Sequence, residues 1–105
     1  MWEWRRRWRG PGRPMKPRFI NVKPMVIRFV PLGPDGSPLT STLPIYLTYD
    51  EFEAFRLVFY EGLTQEEAAK KMGISRGTIW RCLENARKKI ATMLAENRSL
   101  IVTTD

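Results

Sequence analysis

Between Thr48 and Gly62, Phe52, Phe55 and Phe59 recur three and four residues apart, which lays one apolar stripe along a helix over residues 49–61. Thr48 followed three residues later by Glu51 is a capping-box signature for its start, and Gly62 marks its end. Thr64 and Glu67 repeat the signature. They open a second helix, 65–72, which runs through Ala68, Ala69 and Met72 and closes at Gly73. Ser75 then caps a third, 76–96, whose apolar positions Ile79, Leu83, Ala86, Ile90 and Met93 alternate four and three. The middle helix is too short to persist in water unless it packs on its neighbours.

Outside this helical block the pattern becomes strand-like. MVIRFV, residues 25–30, is a short apolar run with β-branched residues between Pro24 and Pro31 and suits one strand. Residues 31–47 hold Pro31, Pro34, Pro38, Pro44 and the turn sequence Pro-Asp-Gly, and are expected to be loop. SLIVT, residues 99–103, offers a second strand after the last helix. One strand alone leaves its backbone groups unpaired, so the two are expected to pair, either within one chain or between two. The predicted class is mainly α: a three-helix helix-turn-helix core with a small β-sheet from the N-terminal and C-terminal strands. Residues 19–105 form this single domain. Residues 1–18 carry three tryptophans, seven basic groups, Gly10-Pro11-Gly12, Pro14 and Pro17, a composition that argues for a flexible basic arm.

Composition removes several classes of function. A chain of 105 residues has room for one modest core, and no apolar run approaches the length needed to span a bilayer. The basic N-terminus has no apolar segment behind it, so no secretory signal is read and a cytoplasmic, prokaryotic location is expected. With Cys82 alone and no histidine, the chain has no zinc-ligand set and no cysteine-histidine nucleophile. Glu66 and Glu67 are adjacent on a helix and cannot converge on one substrate atom. No enzyme, metal or cofactor is expected.

Charge changes the picture more. The net charge is +7, and it is uneven: residues 1–18 carry +6, residues 64–98 carry +4 and residues 48–63 carry −3. Two basic regions separated by an acidic helix suit a polyanion met at two places, and nucleic acid is the commonest such partner.

Two helices joined by a tight glycine turn, the second longer and basic, make a helix-turn-helix. Ala68 and Ala69 allow close approach, and Ile79 and Cys82 face inward. Arg76, Thr78, Trp80 and Arg81 are thereby directed outward, to the face that this architecture lays in the DNA major groove. Arginine pairs with guanine in a bidentate manner, and threonine bonds a base edge or touches a thymine methyl. Ser75 and Gly77 at the helix start, and Arg87, Lys88 and Lys89 further along, suit the phosphate backbone. Two readings stand for Trp80, a base contact and an aromatic of the core or of a dimer. For Arg76 and Arg81 the alternative, with the turn pattern intact the weaker one, is a solvated helix face. Cys82 is read as a small buried hydrophobe. In the arm, Gly12-Arg13-Pro14 resembles the centre of an AT-hook, without its full Arg-Gly-Arg-Pro core. Arg9, Arg13, Lys16 and Arg18 are the candidate minor-groove or phosphate contacts there.

From Leu47 to Leu94 the chain resembles region 4 of sigma factors, with EGLTQEEAAKKMGIS and ENARKKI as close counterparts. It resembles more fully the prokaryotic domain-of-unknown-function family 134, predicted DNA-binding proteins, through GRPMKPR, the segment LTYDEFEAFRLVFYEGLTQEEAAKKMGISRGTIWRCLENARKKI and a short terminal strand. It differs from the usual family start in its Trp/Arg-rich first nine residues. The resemblance implies a helix-turn-helix fold and regulatory binding of double-stranded DNA, with Arg76, Thr78, Trp80 and Arg81 as the recognition positions. A short helix reads few base pairs, so a homodimer is expected, with the C-terminal strand exchanged between chains or retained. Two other functions remain in view. One is an adaptor that contacts RNA polymerase or another transcription protein through a sigma-like fold, and the other is RNA binding by the arm.

Overall fold

Thr48 closes a strand and opens a helix in one step. In the computed structural model, which describes residues 2–4, 18–20, 26–40 and 43–103, Thr48 is both the last residue of a strand and the N-cap of the helix that follows it. Its backbone N–H donates to Glu51 Oε1 at 3.0 Å, one half of the capping box.

The described strands are β1 (Trp2–Trp4), β2 (Arg18–Ile20), β3 (Ile27–Phe29), β4 (Ile45–Thr48) and β5 (Leu100–Thr103). The helices are α1 (Tyr49–Phe55), which continues as a π-helical segment over Arg56–Tyr60, then α2 (Gln65–Met72) and α3 (Arg76–Glu96). The π segment widens the last turn. The Glu61 N–H reaches back to the Arg56 carbonyl at 3.0 Å, and Gly62, at a φ of 79°, turns the chain out of the helix. One consequence is outward presentation of Phe59 and Tyr60.

Thr64 and Glu67 close the second capping box reciprocally, at 2.9 and 3.1 Å. Gly73 ends α2 in the left-handed region at φ 68°, and a Cβ there would stand 3.1 Å from the Phe19 ring. Glycine is therefore required twice over, for the backbone angle and for the close approach of β2 to the turn. Ser75 Oγ accepts the Thr78 N–H at 3.1 Å to start α3, and Asn97, itself left-handed, ends it.

β5 is the central strand of a three-stranded sheet, antiparallel to β3 and parallel to β4 within the one chain. β4 lies in the stretch expected to be loop. The prolines of residues 31–44 do build a turn, with Gly33 N–H bonded to the Ser37 carbonyl, but past Pro44 the alternation of buried Ile45, exposed Tyr46 and buried Leu47 has strand period. A second difference concerns the arm. Trp2–Trp4 pairs antiparallel with Arg18–Ile20, so these two described stretches form one short ribbon. Arg9, Arg13 and Lys16 lie outside the described residues.

Two apolar clusters make the core. Ile20, Ile45, Leu47, Tyr49, Ala86, Leu100 and Val102 join the sheet to α3. Ala54, Leu57, Ala68, Ala69, Met72, Ile79, Cys82 and Leu83 lock α1, α2 and the first half of α3 together. The second cluster is what holds the short α2 in place, and the alanines permit its close approach.

Candidate nucleic-acid interface

Ile79, Cys82, Leu83 and Ala86 are buried in α3, which fixes its rotation about its own axis. Arg76, Gly77, Arg81 and Asn85 consequently face outward, and Trp80 is 55% exposed. The exposed ring excludes the reading of Trp80 as a core residue of its own chain. Thr78 is half-buried, and its hydroxyl is already engaged: it lies 2.9 Å from Ser75 Oγ and 3.4 Å from Arg81 Nη2. Its first role is to organise the helix start and lean on Arg81.

Asn85 is the residue of this face that the sequence reading misses, although its spacing from Thr78 and Arg81 signals it. Positions 78, 81 and 85 fall on one helical stripe, and all three line a small concave surface with Arg18, Asp50 and Cys82. Asparagine is the side chain best suited to bidentate contact with adenine.

The acidic helix proves not to be an acidic surface. Asp50, Glu51 and Glu53 of α1 are all buried. Asp50 bonds Arg18; Glu51 Oε1 accepts from Lys89 Nζ at 2.7 Å; Glu53 Oε1 accepts from Arg56 Nε at 2.8 Å. The Glu53 and Glu61 carboxylates hold the Arg56 guanidinium above its ordinary pKa, the hydrogen bond to Glu53 being the larger cause. Because buried pairs cancel one another's field locally, the outward face of α3 keeps its positive character.

The same pairs correct two of the expected phosphate contacts. Arg18 is only 9% exposed and is committed to Asp50, which fastens β2 beneath the start of α3. Lys89 is turned toward Glu51 of α1 and joins the core helices. Both follow from burial, since a carboxylate out of water requires a cation beside it. Lys88 and Ser75 remain exposed, and Arg87, also exposed, bonds Glu84 at 2.9 Å while its guanidinium lies 4.9 Å from the Phe59 ring centroid.

Cys82 sits under this face with its thiol 3.7 Å from Asp50 Oδ2. Burial foremost, and the Asp50 charge next, push the thiol from 9.0 up to about 12. The folded state thus holds its proton more tightly than the unfolded chain does, so stability present below pH 9 is expected to decline as pH rises toward 12. At pH 8 a thiol reagent is expected to label Cys82 only as fast as the protein unfolds. Rapid labelling of the native chain, at the rate seen in denaturant, would contradict the burial.

A family profile described as protein of unknown function DUF134 matches residues 5–105. The chain belongs to this family. A UPF0251 protein of Pyrococcus furiosus is 57% identical over 96 residues, covering 91% of this chain and 86% of that one. The UPF0251 protein of Pyrococcus horikoshii is 58% identical over 87 residues, with 83% and 77% covered. A more distant one from Archaeoglobus fulgidus is 36% identical over 103 residues, with 98% and 92% covered. No solved structure matches. In this DUF134 chain no helix among the described residues is long and apolar enough to cross a membrane. Among the same residues no group of three acidic or cysteine side chains is placed to hold a metal ion.

Proposed function

We propose that this chain is a DNA-binding transcriptional regulator that reads duplex DNA in the major groove with the first three turns of α3. One observation carries the reading. The buried set Ile79, Cys82 and Leu83 leaves Arg76, Trp80, Arg81 and Asn85 together on the opposite face, next to a tight turn at Gly73, which is the arrangement a helix-turn-helix uses. Arg76 and Arg81 are the guanine readers and Asn85 an adenine reader. Thr78 positions Arg81 and presents its methyl group to thymine. Ser75, Gly77 and Lys88 meet phosphates, the first two by the free amide groups of the helix start.

The ribbon of β1 and β2 adds support. Phe19 packs on Gly73 and Arg18 lines the hollow with Thr78 and Arg81, so β2 lies beside the reading face. Arg9, Arg13 and Lys16 of the basic segment, outside the described residues, are the proposed contacts to phosphates or the adjoining minor groove.

The test is selection of bound sequences from a random duplex pool at about 150 mM salt, where phosphate attraction alone is weak. A recurrent motif is expected, composed of two related half-sites. Recovery of the pool unchanged would discard the reading. The half-exposed Trp80 favours one rival, an adaptor that buries this ring in a transcription protein. Trp80→Ala would then abolish binding of that protein and leave DNA affinity as it was.

A further inference from the structure

A large apolar hollow lies away from the reading face, toward the C-terminal half of α3. An open groove of about 360 Å3 runs between β3, the π-helical segment and the C-terminal half of α3, with Phe29, Phe52, Phe55, Ile90 and Met93 in its walls. Across Phe29 and Met93 it continues into a second hollow of about 250 Å3 at Val30, Leu94 and Asn97. On its rim stand Tyr60, 82% exposed, and Leu94, 71% exposed, while Phe29 is 51% exposed. All three residues of β3 are exposed, and among the described residues this strand pairs only with β5, at the sheet's edge.

We infer that the groove is filled by a second copy of this chain, giving a two-fold dimer that carries two reading faces. A two-fold interface must be self-complementary, which requires hollows and projections within one patch. This patch has both, because the exposed Tyr60 borders the larger hollow and the exposed Leu94 the smaller. Tyr60, Leu94 and Phe29, each at least half exposed, make it an apolar patch of the kind that marks a protein contact. Charge does not oppose it locally. The rim carries Arg56 bonded to Glu61 at one end and Arg98 bonded to Glu96 at the other, so these arginines bring no uncompensated charge to the contact. Nucleic acid has no attraction for so neutral a rim. A small ligand would lack the polar groups that fix orientation in a binding pocket, since Arg56 is the single charged residue lining the larger hollow among the described residues and is already held by two carboxylates.

Position on α3 gives the dimer its use, and this step rests on the DNA reading proposed above. Arg81 and Met93 are separated by roughly 18 Å along the helix at 1.5 Å per residue. A two-fold axis at the groove therefore holds two reading faces up to about 36 Å apart, close to the roughly 34 Å between major grooves one turn apart on a duplex. The reading site of one chain covers too few base pairs alone, and the second copy completes it.

Sedimentation of the full chain at micromolar concentration, without DNA, tests the interface independently of the reading. Wild type is expected to be a dimer. Tyr60→Glu and Leu94→Glu, separately, are expected to weaken self-association at least about 30-fold each, because each buries a charge in an apolar contact. Both side chains are exposed in the single chain, so the thermal melts measured on fully dissociated protein should coincide with that of wild type. Were only one variant to fold, the other still decides the matter. A wild-type monomer would overturn the inference, as would variants that fold and remain dimeric. A dimer that selects no DNA motif would retain the interface and remove the function, whereas a monomer that selects a single half-site would do the reverse.

Discussion

Replacement of Asp50 by alanine is expected to destabilise the protein by about 3–5 kcal/mol, the usual cost of removing one member of a buried ion pair. Asp50 is 1% exposed and accepts from the Arg18 guanidinium, the Thr48 hydroxyl and the Glu51 N–H, and the Cys82 thiol lies beside it. Alanine leaves the arginine charge buried without its counterion and deprives the N-terminal turn of α1 of its acceptor. For a domain of this size the loss lowers the melting temperature by more than roughly 12 °C. Urea unfolding followed by circular dichroism measures it. A double-mutant cycle with Arg18→Met isolates the pair: the double variant should lose less than the two singles together, because neither charge is then stranded. Additive losses would show that Arg18 and Asp50 act separately. A functional consequence accompanies the structural one. Arg18 ties the ribbon to α1 below Thr78 and Arg81, and Arg18→Met, which strands the Asp50 carboxylate, is expected to weaken DNA binding as well as the fold.

The second large effect concerns the reading face. Arg76→Ala and Arg81→Ala are each expected to cost about 1–3 kcal/mol of discrimination between the selected site and random duplex, and the double variant more than either. Both side chains are exposed, and among the described residues neither enters a salt bridge within 4.0 Å. The melting temperature should consequently change little. Lys88→Ala provides the contrast. With Lys88 in its proposed phosphate-binding role, its removal is expected to weaken specific and non-specific binding alike and to reduce the slope of log affinity against log salt by about one. The proposed division of labour fails if Lys88→Ala changes the sequence preference and the arginine substitutions do not. Titrations at several salt concentrations separate the two behaviours.

The helix-turn-helix is legible in the sequence because its signals are local. Thr48 with Glu51, Thr64 with Glu67, Gly73 and Ser75 are punctuation that acts within four residues, and the observed starts of α1, α2 and α3 follow it. The outward set on α3 is legible for a similar reason, since helical geometry makes Arg76 and Arg81 the complement of Ile79 and Cys82. β4 is hidden by the prolines before it. Arg18 and Lys89 mislead because a basic residue in sequence carries no sign of the carboxylate it meets, and their partners Asp50 and Glu51 lie 32 and 38 residues away. Counting charges along the chain makes α1 acidic; folding turns its carboxylates inward against Arg18, Lys89 and Arg56, so the α1 surface is less acidic than the count suggests.

By itself the sequence determined the helices, their caps, the small-residue contact between α2 and α3 and the outward placement of Arg76, Trp80 and Arg81, all consequences of backbone hydrogen bonding and of a 3.6-residue period. Tertiary structure alone decided three matters: the pairing of β3 and β5 within one chain with β4 added alongside, the burial of the acidic cluster with its basic partners, and the apolar groove beside Tyr60 and Leu94. Each depends on contacts between segments distant in the chain, which packing and desolvation select and which no local pattern records.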